Sequence, residues 1–508
     1  MRRWLLVLLL SALAAPACDW EHYAMMNSIP AEGDSSLNPR VRVYLGLDGL
    51  SYDAVTRARE RGAFDGWNLS RLIPMFPATS DASWTRIFHS ARFAGYEFGH
   101  YDPVKDKVYN KALGGMLVHL VPPLEEVSFM VPDYAQTPAY YKAFDYHASS
   151  YLDALWSYDR PVYGYYRGLD NVFEALAGRS QVQQTFTAYV LETDVVGHIR
   201  SEEDVADVLV SLSERIEKFK RDHPERTFVF TLFGDHGIDG IAKPEDKVVD
   251  FRDQLHSAGV TTVDSLEDAD KVDGPAAIAI LHTRVTYVAI HARPRWISEV
   301  ARRASTCAAA DLVFARGEAP GPDFPEGLEW VSVWREGNRL ASFGYEAATD
   351  SYFLPSDADW AALELPVTFA QDARYGVFSD EALFSLSVDR TYPDFFFRAR
   401  TAFEPISVEF PSDIVVSYRY PFMSVGYQAP ISSLNGVGTA GSHGAMERLG
   451  STAALLSEER ELPPVVRSDT LLGFFPALVE HIQERGVELI PGAQGAELDY
   501  DALPPPAP

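Results

Sequence analysis

Asp48 closes the run VRVYLGLD. Asp194 and His198 share DVVGH, and Asp235 and His236 are adjacent in GDHG. His443 lies between small residues in GSHG, and Ser80 lies in PATSDASW. Carboxylate oxygens and imidazole nitrogens in one set suit a borderline cation such as Zn2+, and Mn2+ tolerates the same donors. A serine hydroxyl beside such ions, at the start of a helix, feels the positive end of the helix dipole. Coordination lowers its pKa further, so it becomes a usable nucleophile. Each element alone has an ordinary explanation. An aspartate at a strand end caps a turn, a histidine packs, and Thr79 and Ser80 cap a helix. Their joint occurrence, each after a strand-like run or at a helix start, is what points to a metal-binding set.

The elements that must position these groups are legible around them. Residues 41–47, 186–193 and 227–233 are short, nearly continuous apolar runs rich in β-branched and aromatic residues. That is the pattern of parallel strands covered on both faces. Each runs into an acidic residue at its C-terminal end, the edge where open α/β sheets bind ligands. A helix is expected to begin near Asp81. Another follows Ser201 as N-cap, with Glu202, Glu203 and Asp204 in its first turn and Val205, Val208, Leu209, Leu212, Ile216 and Phe219 at helical spacing. From 241 to 400 the texture changes. Strands are expected at 285–290 and 328–334 and a helix at 297–304, with no ligand pattern. This stretch reads as an inserted α+β subdomain that covers the site. The reading is thus an α/β protein with metallohydrolase core parts at 41–240 and 401–490 around an insert at 241–400.

The whole chain bounds the function. Its 508 residues, 47% hydrophobic, can bury a large core with insertions. The net charge of -28 opposes nucleic-acid binding, while metal ions in a pocket can still reverse the local potential for a small phosphate ester. Arg2 and Arg3 precede an apolar run at 4–10, too short for an ordinary membrane span, so residues 1–18 read as an export signal. Two readings stay open there. Ala15 and Ala17 mark a signal-peptidase site, or the small residues before Cys18 form a lipobox and Cys18 becomes a lipidated N-terminus. The position of Cys18 favours the lipoprotein, hence a periplasmic or cell-envelope location. The other cysteine is Cys307, and no disulfide is expected. Residues 19–40 read as a tether and the proline-rich 491–508 as a disordered tail. The sequence carries no signal for oligomeric state.

Together, Leu47-Asp48-Gly49, the 77–84 segment, the 192–198 segment, Gly234 to Gly237 and Ser442-His443-Gly444 resemble the alkaline phosphatase superfamily, in its type I phosphodiesterase/nucleotide pyrophosphatase branch. The matching motifs stand in the family's order and spread over most of 41–450. The resemblance implies a doubly wound, mostly parallel sheet with two metals at its C-terminal edge. It implies Asp194, His198 and His443 around one metal, and Asp48, Asp235, His236 and the nucleophile around the other. The nucleophile is expected four residues before Trp84, which selects Ser80 over Thr79. The implied chemistry is in-line attack of Ser80 on phosphorus, then hydrolysis of a phosphoseryl intermediate. The implied substrates are phosphodiesters or pyrophosphates. Monoesterase and phosphonate hydrolase are close alternatives, and a lipid-anchored, non-catalytic binding protein is an alternative of another class. The chain departs from the pattern at His89-Ser90, where relatives have Thr-Gly. It also lacks the downstream Asp-Asn pair: Asp102-Pro103 stands in that region and the nearest asparagine is Asn110. Arg86 is a second candidate phosphate contact. His89, His100 and Asp53 read as structural.

Overall fold

The computed structural model describes residues 39–490 except 98, 110–137, 149–156, 158, 241–247, 283, 323, 406–407 and 425–439. The export signal, Cys18, nearly all of the tether, Asn110 and the tail lie outside the described residues.

A seven-stranded sheet positions the site. In chain order its strands are β1 (Arg40–Leu47), β2 (Asn68–Ile73), β3 (Tyr146–His147), β4 (Thr185–Val190), β5 (Thr227–Phe233), β6 (Ala453–Ser457) and β7 (Val465–Arg467). They lie side by side as β7-β2-β6-β5-β1-β4-β3. All neighbours run parallel except at β6, which is antiparallel to both β2 and β5.

β1 shows why the sheet is covered on both faces. Val41, Val43, Leu45 and Leu47 point one way, into a core with helices α1 (Tyr52–Glu60), α3 (Pro161–Arg179) and α5 (Glu202–Asp222). Tyr44 points the other way, into a core with α2 (Ser80–Ile87) and α6 (Pro476–Glu484). The period of two thus sends alternate side chains into two separate apolar layers. At Gly46 a Cβ would lie 2.8 Å from the Phe144 ring and 2.9 Å from Trp84, so only glycine lets that second layer close on the strand.

The register aligns the functional edge. Leu47 pairs with Val190, and Gly46 pairs with Phe233. The residues just beyond β1, β4 and β5 therefore emerge together. β4 ends earlier than the 186–193 run predicts, at Val190, and the chain enters α4 (Glu192–Ile199) with Leu191 as N-cap. Asp194 consequently sits in a first helical turn. Tertiary packing has overridden the β preference of Val195 and Val196, both fully buried. Helix α5 is capped as expected, the Ser201 hydroxyl accepting the Asp204 N–H at 3.1 Å.

A second, nine-stranded sheet is built from Thr261–Thr262, Ala276–Ile280, Tyr287–Ala292, Ile414–Tyr418, Ala310–Gly317, Glu329–Arg335, Asn338–Glu346, Ser351–Pro355 and Tyr375–Ser379, in that spatial order. Ile414–Tyr418 lies in its middle, so the sheet draws one strand from beyond residue 400. Helix Ile297–Ala304 has the predicted bounds. The strands expected at 285–290 and 328–334 run Tyr287–Ala292 and Glu329–Arg335. Among the described residues no helix is long and apolar enough to cross a membrane.

Candidate metal centre

Asp48 follows β1, Asp235 and His236 follow β5, and Asp194 and His198 lie one turn apart on α4. Ser80 is the first residue of α2. His443 is brought in from the C-terminal part of the chain: Gly441 and Ser442 pair with Gly240 and Asp239, and His443 bridges to Val285 of the second sheet's approach. All of the metal-binding residues expected from the sequence reach one place, and apart from the half-buried Ser80 all are buried.

Two groups of donor atoms have all members within 4.8 Å of one another: Asp194, His236 and His443, and Asp48, Asp235 and His236. His236 belongs to both. Its Nε2 lies 3.3 Å from Asp48 Oδ1 and 3.3 Å from Asp235 Oδ2. His198 stands at the rim of the first group, with Nε2 3.3 Å from Asp194 Oδ2. Gly49, at φ +65, lets the chain turn tightly after Asp48, and its N–H donates to Asp235 Oδ1 at 3.0 Å.

The three imidazoles are oriented alike. Nδ1 of His198 faces the Gly441 carbonyl at 2.9 Å, that of His443 the Ala78 carbonyl at 2.9 Å, and that of His236 the Gly237 carbonyl at 3.0 Å. A carbonyl can only accept, so each Nδ1 carries the hydrogen and each Nε2 points to the centre. A backbone carbonyl on the far nitrogen is the usual support of a metal-ligating histidine.

The electrostatics of the donor groups favour a bound positive charge. Burial, then Asp48, push the Asp194 carboxyl well above the ordinary range, and the same two causes push Asp235 to about 8. Burial opposes charging of His236, yet Asp235, Asp48 and Asp194 together raise it to about 10. Burial, then His236 and His198, hold His443 well below the usual imidazole value. Asp194 Oδ1 and Asp235 Oδ2 have no hydrogen-bond partner among the described residues. Buried, mutually repelling carboxylates beside converging Nε2 atoms fit divalent cations.

Ser80 Oγ donates to Asp48 Oδ1 at 3.2 Å and lies 3.1 Å from His236 Nε2. Thr79 is the N-cap of α2, but its hydroxyl turns away and donates to the Tyr96 carbonyl at 2.6 Å. The geometry therefore distinguishes the two hydroxyls, and Ser80 is the one at the centre.

Tyr189, Glu97 and Arg284 meet the site without having been singled out from the sequence. Tyr189 Oη donates to Asp48 Oδ2. Glu97, 8% exposed, accepts the Ser80 N–H at 3.2 Å. Tyr140 Oη donates to Asp81 Oδ1 at 3.1 Å, and the Arg284 charge acts on Asp194 and His198. Tyr189 left a usable signal, since a tyrosine in a fully buried strand needs a partner for its hydroxyl. Arg86 is not an exposed arginine: it is buried and paired with Asp469 at 2.7 Å. His89 Nε2 bonds the Asp469 carbonyl, and His100 stacks between Tyr109 and Phe410. Tyr140 and Tyr165 are packed in the core.

No protein-family model matches the chain, and no curated protein matches it. Among solved structures, murine ectonucleotide pyrophosphatase/phosphodiesterase 5 is similar at 10% identity and TM-score 0.43, covering 89% of this chain and 96% of that one. An inactive variant of the murine protein in complex with AMP gives the same values, and the human protein gives 10% identity, the same coverage and TM-score 0.42.

Proposed function

We propose that this chain is a two-metal hydrolase of phosphate esters from the phosphodiesterase/nucleotide pyrophosphatase branch of the alkaline phosphatase superfamily, with Ser80 as nucleophile. The observation that carries the reading is the seat of Ser80 Oγ. It sits at a helix N-terminus, 3.2 Å from Asp48 Oδ1 and 3.1 Å from His236 Nε2, against two groups of metal-type donors. Asp194, His198 and His443 would hold one divalent ion, and Asp48, Asp235 and His236 the other, with Zn2+ the best match to the donors. Bound there, the ions supply Lewis-acid stabilisation of phosphoryl and leaving-group charge.

The chain's own part is positional. Asp48 Oδ1 accepts the Ser80 proton, leaving the oxygen lone pairs for phosphorus. In-line attack forms the Oγ–P bond as the bond to the leaving oxygen breaks and that oxygen departs as an alcohol after taking up a proton, and water then cleaves Oγ–P to free Ser80 and, from a diester, the remaining phosphate monoester. The dipole of α2 favours the negative charge gathered over its first turn. We place the protein, by its first 18 residues, in the cell envelope, held by Cys18.

The test is turnover of bis-p-nitrophenyl phosphate and p-nitrophenyl phosphate, with and without EDTA, with Zn2+ or Mn2+ restored, and beside Ser80→Ala. Metal-dependent turnover that vanishes in Ser80→Ala is expected. Protein that holds two metals yet cleaves neither ester would sink the hydrolase reading.

A further inference from the structure

We propose that Arg398 is a positioning residue for His443 and thereby sets the affinity of one of the two metal sites, an inference that rests on the two-metal reading above. Asp48, Asp235 and His236 follow directly on strands of the seven-stranded sheet, and Asp194 and His198 ride on α4. Their places are set by the elements that carry them. His443 has no such carrier. It lies between the short pair Gly441–Ser442 and β6, in neither helix nor strand. Its ring is oriented by the Ala78 carbonyl, but its backbone must be held from elsewhere.

The second sheet and its flank hold it. Thr286 donates to the His443 carbonyl twice, from its N–H at 2.7 Å and from Oγ1 at 2.8 Å. The Met446 N–H donates at 2.9 Å to Ser417 Oγ, on the strand Ile414–Tyr418. Between these anchors Gly444, at φ +108, runs so close to Tyr287 that a Cβ would lie 2.8 Å from its ring. The carbonyls of Ala445 and Met446 remain, and Arg398 donates to both, at 3.4 and 2.8 Å. Arg398 is fully buried on the helix Phe395–Thr401, and its other bond goes to the Pro393 carbonyl at 3.2 Å. It forms no ion pair among the described residues, because both oxygens of the neighbouring acid Asp394 bind Arg467. Burial pushes the Arg398 guanidinium down to about 9, which leaves it charged at neutral pH. A buried charge resting on carbonyls alone is costly, and an apolar side chain of similar length would fill the space with less penalty. What the guanidinium adds is a rigid planar fork of donors that can fix two successive carbonyls at once. Those carbonyls belong to the second and third residues after a metal-binding histidine.

The experiment titrates the metal-stripped full chain with Co2+ and follows each bound ion by calorimetry and by its d–d absorption. Wild type is compared with Arg398→Met, with the milder Ser417→Ala, and with Leu209→Ala. Leu209 is fully buried on the other face of the seven-stranded sheet, so its truncation destabilises the fold without touching the His443 segment. Wild type is expected to bind two ions. Arg398→Met should keep one at wild-type affinity and weaken the other about 10–100-fold, with its absorption altered, as loss of support behind a metal-ligating histidine does. Ser417→Ala should weaken the same ion, and Leu209→Ala should leave both unchanged. Two ions bound at wild-type affinity in Arg398→Met overturn the proposal, as does the same result in Ser417→Ala if Arg398→Met does not fold. Equal weakening of both ions, or loss of the same ion in Leu209→Ala, overturns it too, since either marks general destabilisation. Wild type that binds no Co2+ removes the two-metal reading and this proposal with it. Two ions bound with no ester cleaved would strike the hydrolase reading, while the Co2+ titrations of the variants still decide the role of Arg398.

Discussion

His236 and His443 stack face to face, with ring centroids 3.7 Å apart and planes 11° from parallel. Two imidazolium rings would repel in that arrangement. With each Nδ1 hydrogen committed to a backbone carbonyl, both rings direct Nε2 at Asp194 and its surroundings, and the His443 ring, held well below the usual imidazole value, is the neutral one of the two. The stack presents the two rings as candidate ligands of one cation.

Metal should therefore be worth folding stability as well as activity. A cation that binds the folded form at a hundred times its Kd adds about 2.7 kcal/mol. Exhaustive EDTA treatment is expected to lower the thermal midpoint and Zn2+ to restore it. An identical midpoint in both states, by calorimetry, would remove the metal assignment.

The neighbouring hydroxyls should separate cleanly. Ser80→Ala is expected to lower kcat at least about a thousandfold with little change in stability. Thr79→Ala loses the bond to the Tyr96 carbonyl, at about 1 kcal/mol of stability, and keeps a working nucleophile. Steady-state kinetics and urea unfolding of the two variants read these effects, and the reverse pattern would transfer the nucleophile to Thr79.

Tyr189 acts through Asp48, whose second oxygen it binds. Tyr189→Phe is expected to weaken metal affinity about 10–100-fold without unfolding the protein. Competition with a chromogenic chelator measures it directly. Unaltered affinity would mean that Asp48 is held well enough by other contacts.

Much of this centre could be read from the sequence, and the reasons are local. Asp48 and Asp235 end continuous apolar runs, and their strand ends set their position. His198 follows Asp194 by one helical turn. Glu97 was illegible because nothing in its loop marks it: the contact to Ser80 is made across the fold. β2 and β6 were passed over for similar reasons. β2 carries Ser70 and Arg71 in buried positions, satisfied by the distant Pro463 carbonyl and Asp389, so its apolar pattern is broken. β6 is too short for its alanines and leucines to distinguish strand from helix. The strand Ile414–Tyr418 was not read from the sequence, and its membership of the second sheet depends on pairing with Tyr287–Ala292 and Ala310–Gly317.

Arg467 is buried with Asp380 and with both oxygens of Asp394, the latter at 2.6 and 2.7 Å, and lies over the Phe397 ring. Removing it strands two buried acids. Arg467→Ala is expected to cost about 3–5 kcal/mol in urea unfolding. A loss under about 1 kcal/mol would mean that water or relaxation rescues the acids.

Asp145 links stability to acid. Burial alone would raise its carboxyl, but His481 and Arg485, each at 2.8 Å, and the Thr187 N–H at 2.9 Å together hold it below the ordinary value. A depressed folded-state pKa gives stability that is fully present above the unfolded value of about 3.9 and is lost as pH falls through the folded value. Urea midpoints from pH 7 downward should fall in that acid window, and Asp145→Asn should flatten this part of the decline. A wild-type slope retained in Asp145→Asn would assign the effect elsewhere.

The antiparallel strand β6 fills the seam between β2 and β5, and the segment just before it delivers His443. A growing polypeptide thus displays Asp48, Ser80, Asp194 and Asp235 long before it can join the two halves of its sheet. Joining β2 to β5 through β6 and bringing in His443 both depend on residues 441–457.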